Sequence, residues 1–386
     1  MSAGSQKRIP PRQPLVVRSR QDLESKGVSF TRSGVVPPTA LPITAEGVTY
    51  SMAQALIWVD SDHFAVGRSD GSLSVFGYNE SPTARPLITT AASDPSSEGV
   101  QMIVWLAPGV FATSAEDAAI AVWRSANRIW TDLGAEALLP YDPAFGAANS
   151  GYSLVIGDKL CVAIGHANGF LSIWAGAPDG SGLELLTGLD LRSAHPVNPW
   201  NAHNIRSVSP IRVDDEHGYM VTGSEDGDLC VVRLPDGAVL SRTAFHRSAK
   251  RGINSITTVE TELLVATTSV GHSDKNLWYY GIDETDWSIH LRDSVNLKVN
   301  PHAPQVFNFC TIWATYFQGR CFFSSTEEGA LWMGTIQGDT IALLGYQMVT
   351  PAHGAALGWN RAGRLVLVSY DLYEFQTLVP PLPPDP

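Results

Sequence analysis

Asp226-Gly227-Asp228-Leu229-Cys230-Val231-Val232 is a tight polar turn that opens onto an apolar strand. An acidic or amide residue stands three positions before the first apolar residue, and the strand then alternates. The same register recurs at Asp70 to Phe76, Asp117 to Trp123, Asn168 to Trp174, Asp274 to Tyr280 and Glu328 to Gly334. The strands start at 73, 120, 171, 229, 277 and 331, giving spacings of 47, 51, 58, 48 and 54 residues. A turn-plus-strand core repeating near every fifty residues marks a repeat protein whose units bury their apolar faces on one another.

The rest of each repeat reads as strand as well, because apolar residues alternate with period two. A second strand lies upstream of each turn, as at Phe64–Val66 and Met220–Thr222, and a first strand lies upstream of that, as at Ile205–Ile211. A fourth follows the core: Pro86–Thr90, Arg128–Asp132, Leu183–Leu191, Val239–Phe245, Ile289–Leu297 and Thr340–Met348. Four hairpin-linked strands make one blade of a β-propeller. A seventh, shortened repeat runs through Ala355–Trp359, Leu365–Val368 and Tyr373–Gln376, without a fourth strand of its own. A strand near Val28–Val36, upstream of the first repeat, is expected to complete it, which would cover both open edges. The chain therefore divides into a basic extended arm (1–26), a seven-bladed propeller (27–379) and a proline-rich tail (380–386).

This pattern resembles the WD40 repeat family of seven-bladed propellers over about residues 27–379. Ala202-His203 and Ser224-Glu225-Asp226-Gly227 are similar to the family's Gly-His and Ser-x-Asp-Gly signatures, and Trp123 and Trp174 stand in its tryptophan column. The Asp that follows that tryptophan in the family is replaced here by Arg124 and Ala175. The resemblance implies an all-β ring that presents loops to partner proteins.

Composition narrows the function. With 44% hydrophobic and 17% charged residues the 386-residue chain is globular, and no apolar run reaches membrane-spanning length. A net charge of −12 argues against a general nucleic-acid binder, with the basic arm as the exception. The N-terminus has no secretory signal, and Cys161, Cys230, Cys310 and Cys321 are expected as free, buried thiols on strands. A hairpin turn near Phe317–Gln318 sets Cys310 opposite about Ser325 rather than Cys321. These features point to an intracellular protein, cytoplasmic or nuclear, or to a component of a virus particle.

No zinc, phosphate-loop or nucleophile-elbow pattern is present, so no cofactor, metal or catalytic residue is assigned. The turn carboxylates are read as shaping their own turns. In a ring of this kind, the loops joining the fourth strand to the next first strand share a face with the second-to-third turns. Partner-binding candidates there are Arg192, His195, Trp200, His203, Arg247, Lys250, Arg251 and His302, with Trp200 as a stiff aromatic anchor between prolines. Arg68, His166 and Lys298 are placed on the same face. The arm adds Lys7, Arg8, Arg12, Arg18 and Arg20. The expected function is a non-enzymatic scaffold, a propeller subunit of a larger complex or particle that binds acidic partners through this face and its tails. The alternative is a hydrolase- or lactonase-like propeller enzyme with an axial, metal-assisted site, which needs carboxylates or histidines converging near the axis.

Overall fold

In the computed structural model the described residues are 29–34, 52–78, 87–92, 99–115, 118–127, 129–195, 203–244, 252–270, 274–316, 319–348, 356–359, 365–368 and 372–376. They form antiparallel strands and two short 3-10 turns, with no α-helix among them.

The N-terminal strand is β1 (Ser29–Gly34). The first unit holds β2 (Ala53–Trp58), β3 (His63–Arg68), β4 (Ser72–Gly77) and β5 (Ile88–Ala91). The second holds β6 (Ile103–Ala107), β7 (Val110–Ser114), β8 (Ala119–Arg124) and β9 (Gly134–Pro140). The third holds β10 (Ala148–Ile156), β11 (Lys159–His166), β12 (Phe170–Gly176) and β13 (Glu184–Asp190). The fourth holds β14 (Ile205–Val213), β15 (Gly218–Ser224), β16 (Asp228–Leu234) and β17 (Val239–Ala244). The fifth holds β18 (Ile253–Val259), β19 (Glu262–Val270), β20 (Leu277–Ile282) and β21 (Ile289–Val295). The sixth holds β22 (Gln305–Tyr316), β23 (Gly319–Thr326), β24 (Ala330–Gln337) and β25 (Thr340–Met348). The last holds β26 (Ala356–Trp359), β27 (Leu365–Val368) and β28 (Leu372–Gln376). The expected pairing of the chain's two ends is present: β1 lies antiparallel to β28, from Ser29 opposite Gln376 to Gly34 opposite Leu372.

The fifth and sixth units are joined rather than separate. The long β19 runs past its own sheet, and Thr268–Val270 pair with Gln305–Phe307 of β22, so the two units form one eight-stranded sheet.

The repeat register has a direct packing meaning. The first and third apolar residues of each core strand face the next unit, and the alternate residues face the previous one. Leu73 and Val75 thus meet Phe111 and Trp123. Ile120 and Val122 meet Val162 and Trp174, and Leu171 and Ile173 meet Met220 and Val232. Leu229 and Val231 meet Leu263 and Trp278, and Leu277 and Tyr279 meet Phe322 and Trp332. Val366 and Val368 of the last unit meet Phe64 and Val66 of the first. Both faces of the sheets are therefore apolar, and successive units share their cores.

The first strands of neighbouring units approach closely and are joined by hydroxyls and amides. Ser150 Oγ donates to Ile205 O at 2.9 Å, the Ile256 amide donates to Ser207 Oγ at 2.9 Å, and Ser209 Oγ meets Thr258 Oγ1 at 2.9 Å. The Thr311 amide donates to Ser255 Oγ at 3.2 Å. Both members of each pair advance together, so these strands run in the same direction and equivalent turns lie at the same end. β26 packs on both β22 and β2. Gly358 of β26 makes this last approach possible, since a Cβ there would lie 2.0 Å from Leu56 Cδ2. Gly358→Ala is expected to cost about 1–3 kcal/mol as an overpacked contact, with much of the loss recovered in combination with Leu56→Ala. Urea midpoints of the two single variants and the double variant measure it, and strict additivity would show that the two units do not touch.

The repeated turn glycine sits in left-handed backbone at Gly71, Gly169, Gly227 and Gly329, with φ between 78 and 82. In the second unit the same place is taken by Ala118, with φ 54. An L side chain pays for that conformation. Ala118→Gly is expected to raise stability by about 0.5–1 kcal/mol, read as a higher urea midpoint at unchanged slope.

Two expectations need correction. The fourth strand of the second unit is Gly134–Pro140, not Arg128–Asp132. Trp130 begins a 3-10 turn there, with its indole buried against Phe111 and its Nε1 donating to Asp60 Oδ2 at 2.6 Å. Anchoring that indole on the first unit delays the strand. Cys310 does stand opposite Ser325, as the turn placement requires, but it is partly exposed rather than buried.

Candidate partner-binding face

The connection from the third unit to the fourth is described at its two ends, 191–195 and 203–204, and Asp226 in the β15–β16 turn ties both. The Ser193 amide donates to Asp226 Oδ2 at 2.8 Å, and His203 Nδ1 lies 2.9 Å from Asp226 Oδ1. The Asp226 side chain is fully buried. The same device recurs elsewhere. Glu328, in the β23–β24 turn, accepts the Val299 and Asn300 amides at 2.7 and 2.9 Å, fixing the loop between the fifth and sixth units. Asn168, in the β11–β12 turn, donates Nδ2 to Ala144 O at 3.0 Å, fixing the loop between the second and third. Asp70 accepts the nearby Ser72 amide, at 2.9 Å. The repeated turn residue was expected to shape its own turn. In three units it instead fastens the incoming connection, 24 to 33 residues earlier in the chain.

Arg192 and His203 are brought together over this clamp. A Cβ on Gly169 would lie 2.5 Å from Arg192 Cγ and 3.0 Å from His203 Cβ. Arg192 makes a paired contact with Asp190, at 2.9 Å through Nε and 2.5 Å through the terminal nitrogen, and its guanidinium lies over the Phe170 ring at 5.2 Å. That hydrogen-bonded ion pair holds the Asp190 carboxyl below the usual range and the guanidinium above it. His195 is exposed, and its amide bonds the Ser193 hydroxyl. His302 is also exposed but lies on a different loop, between β21 and β22, where its amide donates to Asn300 Oδ1 at 2.9 Å. Trp200, Arg247, Lys250, Arg251 and the arm residues Lys7, Arg8, Arg12, Arg18 and Arg20 lie outside the described residues.

Arg192, Arg206 and Arg242 of this face are each paired with an acid, so it is not the cationic surface expected. Beside the Arg192–Asp190 and His203–Asp226 pairs, Arg206 meets Glu225 at 2.7 Å and Arg242 meets Asp228 at 2.8 Å. Arg242 also donates to the Leu191 carbonyl, adding a second tie to the loop. Sequence order conceals these partners, because each acid sits on a strand end or turn that the register had already explained.

Three residues placed on the surface from sequence are interior. Arg68 and His166 are 2% and 0% exposed, and Lys298 is buried with its amine on the Ala303 carbonyl. His166 is part of a hydrogen-bond chain. Trp174 Nε1 donates to Ser172 Oγ at 2.9 Å, Ser172 Oγ meets His166 Nε2 at 2.7 Å, and His166 Nδ1 meets the Gly146 carbonyl at 3.2 Å. Tyr141 and Phe145 close over the imidazole. Burial pushes its pKa down to about 4.

Removing the clamp carboxylate leaves the Ser193 amide without its acceptor. Asp226→Ala is expected to cost about 1–2 kcal/mol and to speed amide exchange through 191–195, while Asp226→Asn retains much of the effect. Unchanged exchange in the alanine variant would show that the loop is held by other contacts.

Among the described residues no group of His, Cys, Asp or Glu is arranged to hold a metal ion, and no helix is long and apolar enough to cross a membrane. Comparison with known proteins finds no protein family whose profile matches the chain and no curated sequence similar to it.

Proposed function

We propose that the chain is a non-enzymatic interaction scaffold. It is a WD40-like seven-bladed β-propeller, its ring shut by the N-terminal strand, that holds partner proteins of a larger assembly on its loop face and through its tails. The observation that carries this reading is the clamp. Turn side chains at Asn168, Asp226 and Glu328 fix the connecting loops onto the sheets below. Loops fixed before binding lose less entropy on association, which suits a docking surface. The ring is supported by the packing of each first strand on the next and of β26 on β2. The His203–Asp226 pair and the bond from Trp123 Nε1 to Thr113 Oγ1, at 2.9 Å, resemble parts of the polar set of the WD40 family.

The enzyme alternative needs acids or histidines around the axis. The seven first strands, β2, β6, β10, β14, β18, β22 and β26, contain no Asp, Glu, His or Lys, and Arg206 and Arg212 are their only charged residues. Their contacts are hydroxyl and amide seams. This favours binding over hydrolysis. The free thiols of Cys161 and Cys230 suit a reducing, intracellular setting.

The test compares partner capture by the full chain with that by Arg192→Glu/His195→Glu and by Arg247→Glu/Lys250→Glu/Arg251→Glu, each first shown to be folded. A partner that the full chain retains and that both variants lose supports the loop face. Full retention by both removes it, and retention by the second alone removes the acidic-partner reading. Turnover of ester, lactone or glycoside substrates that depends on a divalent cation would favour the enzyme instead.

A further inference from the structure

We propose that the face opposite the loop face is a docking surface for basic peptide, and that its occupant is this chain's own N-terminal segment, residues 1–20. The inference rests on the ring arrangement proposed above only for placing equivalent turns on one side. It does not depend on what the loop face binds.

Because the first strands run in the same direction, the turns between first and second strands share an end with those between third and fourth strands. Direct contacts join these turns from unit to unit. Trp130 bonds Asp60 across the first and second units, and Arg124 donates to the Asp179 carbonyl across the second and third. Arg212 meets Glu284 across the fourth and fifth, and Arg292 meets Asp339 across the fifth and sixth. The surface so formed is acidic. Its described arginines are engaged, Arg124 with Glu136, Arg212 with Glu284, Arg233 with Asp236 and Arg292 with Asp339, and Lys159 stands exposed beside Asp158. Exposed carboxylates at Asp158, Asp215, Glu216, Asp283 and Asp286 remain beyond those pairs. On the loop face, by contrast, Arg192 and Arg242 each meet an acid on their own unit.

The strand register brings the complementary charge to this face. β28 follows its second-to-third turn, so Leu372 lies at the loop-face end and Gln376 at the opposite end. Ser29 pairs with Gln376, so the chain enters β1 at the acidic side. Residues 1–20 carry Lys7, Arg8, Arg12, Arg18 and Arg20 and no acid. The eight residues between Arg20 and Ser29 reach at most about 30 Å when extended, and the run back to Lys7 reaches about 70 Å, long enough to pass beyond the adjoining first and sixth units towards the carboxylates of the third, fourth and fifth. Tethering at β1 keeps the local concentration of the segment near the millimolar range, so weak individual ion pairs suffice to hold it. Long-range attraction of this kind is lost when salt shortens the screening length from about 30 Å at 0.01 M to a few ångström near 1 M.

Limited trypsin digestion of the full chain tests the proposal, with cleavage after Lys7, Arg8, Arg12, Arg18 and Arg20 read by mass spectrometry. Rates are normalised to a synthetic peptide of residues 1–26 in the same buffer. We expect cleavage in the protein to be at least about tenfold slower than in the peptide at 20 mM salt. Equal rates are expected at 0.5 M salt, with no change on hundredfold dilution. Asp158→Lys/Asp215→Lys/Glu216→Lys, three substitutions in exposed turns, should abolish the low-salt protection, and the salt series on the unmodified chain gives the same answer without a variant. Peptide-like cleavage at low salt overturns the proposal. So does protection that grows with protein concentration, which would assign the site to a second copy. Protection that survives in the folded lysine variant places the segment elsewhere and overturns it as well. Any of these results leaves the loop-face test standing by itself.

Discussion

Acidification from pH 7 to pH 5 is expected to cost the protein about 2 kcal/mol of stability through one side chain, His166. Burial sets its folded pKa at about 4, against about 6.5 in an unfolded chain. The unfolded state therefore binds the proton first, and stability falls as the pH drops through 6.5 towards 4. Above 6.5 the contribution is fully present. The full loss, reached below pH 4, is about 3 kcal/mol. The cause is visible in the hydrogen-bond chain. With Nδ1–H donated to the Gly146 carbonyl, neutral Nε2 accepts the Ser172 hydroxyl proton, and that oxygen accepts the Trp174 indole proton. A proton on Nε2 would deprive the Ser172 hydroxyl of its acceptor and place a charge in a fully buried site. Urea unfolding at pH 7 and pH 5 measures the loss. His166→Gln should be less stable at pH 7 but show a much flatter pH dependence. An equally steep profile in the variant would move the effect to other groups.

Excision of the N-terminal strand is expected to be the most damaging single change. Five residue pairs, from Ser29 opposite Gln376 to Gly34 opposite Leu372, tie β1 to β28. At about 0.5–1.5 kcal/mol for each hydrogen bond formed, their loss costs roughly 3–5 kcal/mol, a large part of the 5–15 kcal/mol that holds an ordinary domain. It also turns β28 into an open edge, prone to pairing with other chains. At 0.5 M salt a chain lacking residues 1–34 should unfold at much lower urea and aggregate, whereas one lacking only 1–26 should keep its midpoint. A synthetic peptide of residues 27–36 should restore stability in a concentration-dependent way. Equal midpoints for the two truncations would show that β1 contributes nothing to the last unit.

Much of the architecture was legible without coordinates, for a physical reason. Strand alternation and turn chemistry are local, and a repeat that buries both faces must carry apolar residues at fixed offsets. Leu229 and Val231 face one neighbour and Cys230 and Val232 the other because the pleat has period two. Even the opposition of Cys310 to Ser325 followed from counting outward from a turn. The candidate face was less legible. Arg192 and His203 were found as loop candidates, but the acids they meet, Asp190 and Asp226, were not assigned to them. Trp130 showed the same limit, since a tryptophan that reads as strand was drawn out of the ladder by Asp60, 70 residues away.

The sequence by itself determined the repeat, the four-stranded unit and the pairing of the chain's two ends, since each follows from spacing along one chain. Tertiary structure alone decided which turn acids clamp loops and which arginines are already engaged. It also decided that His166 is sealed beneath aromatic rings, and at which end Ser29 enters the last sheet. Electrostatic partnership depends on distance in space, and the fold sets that distance only after units that are remote in sequence have packed together.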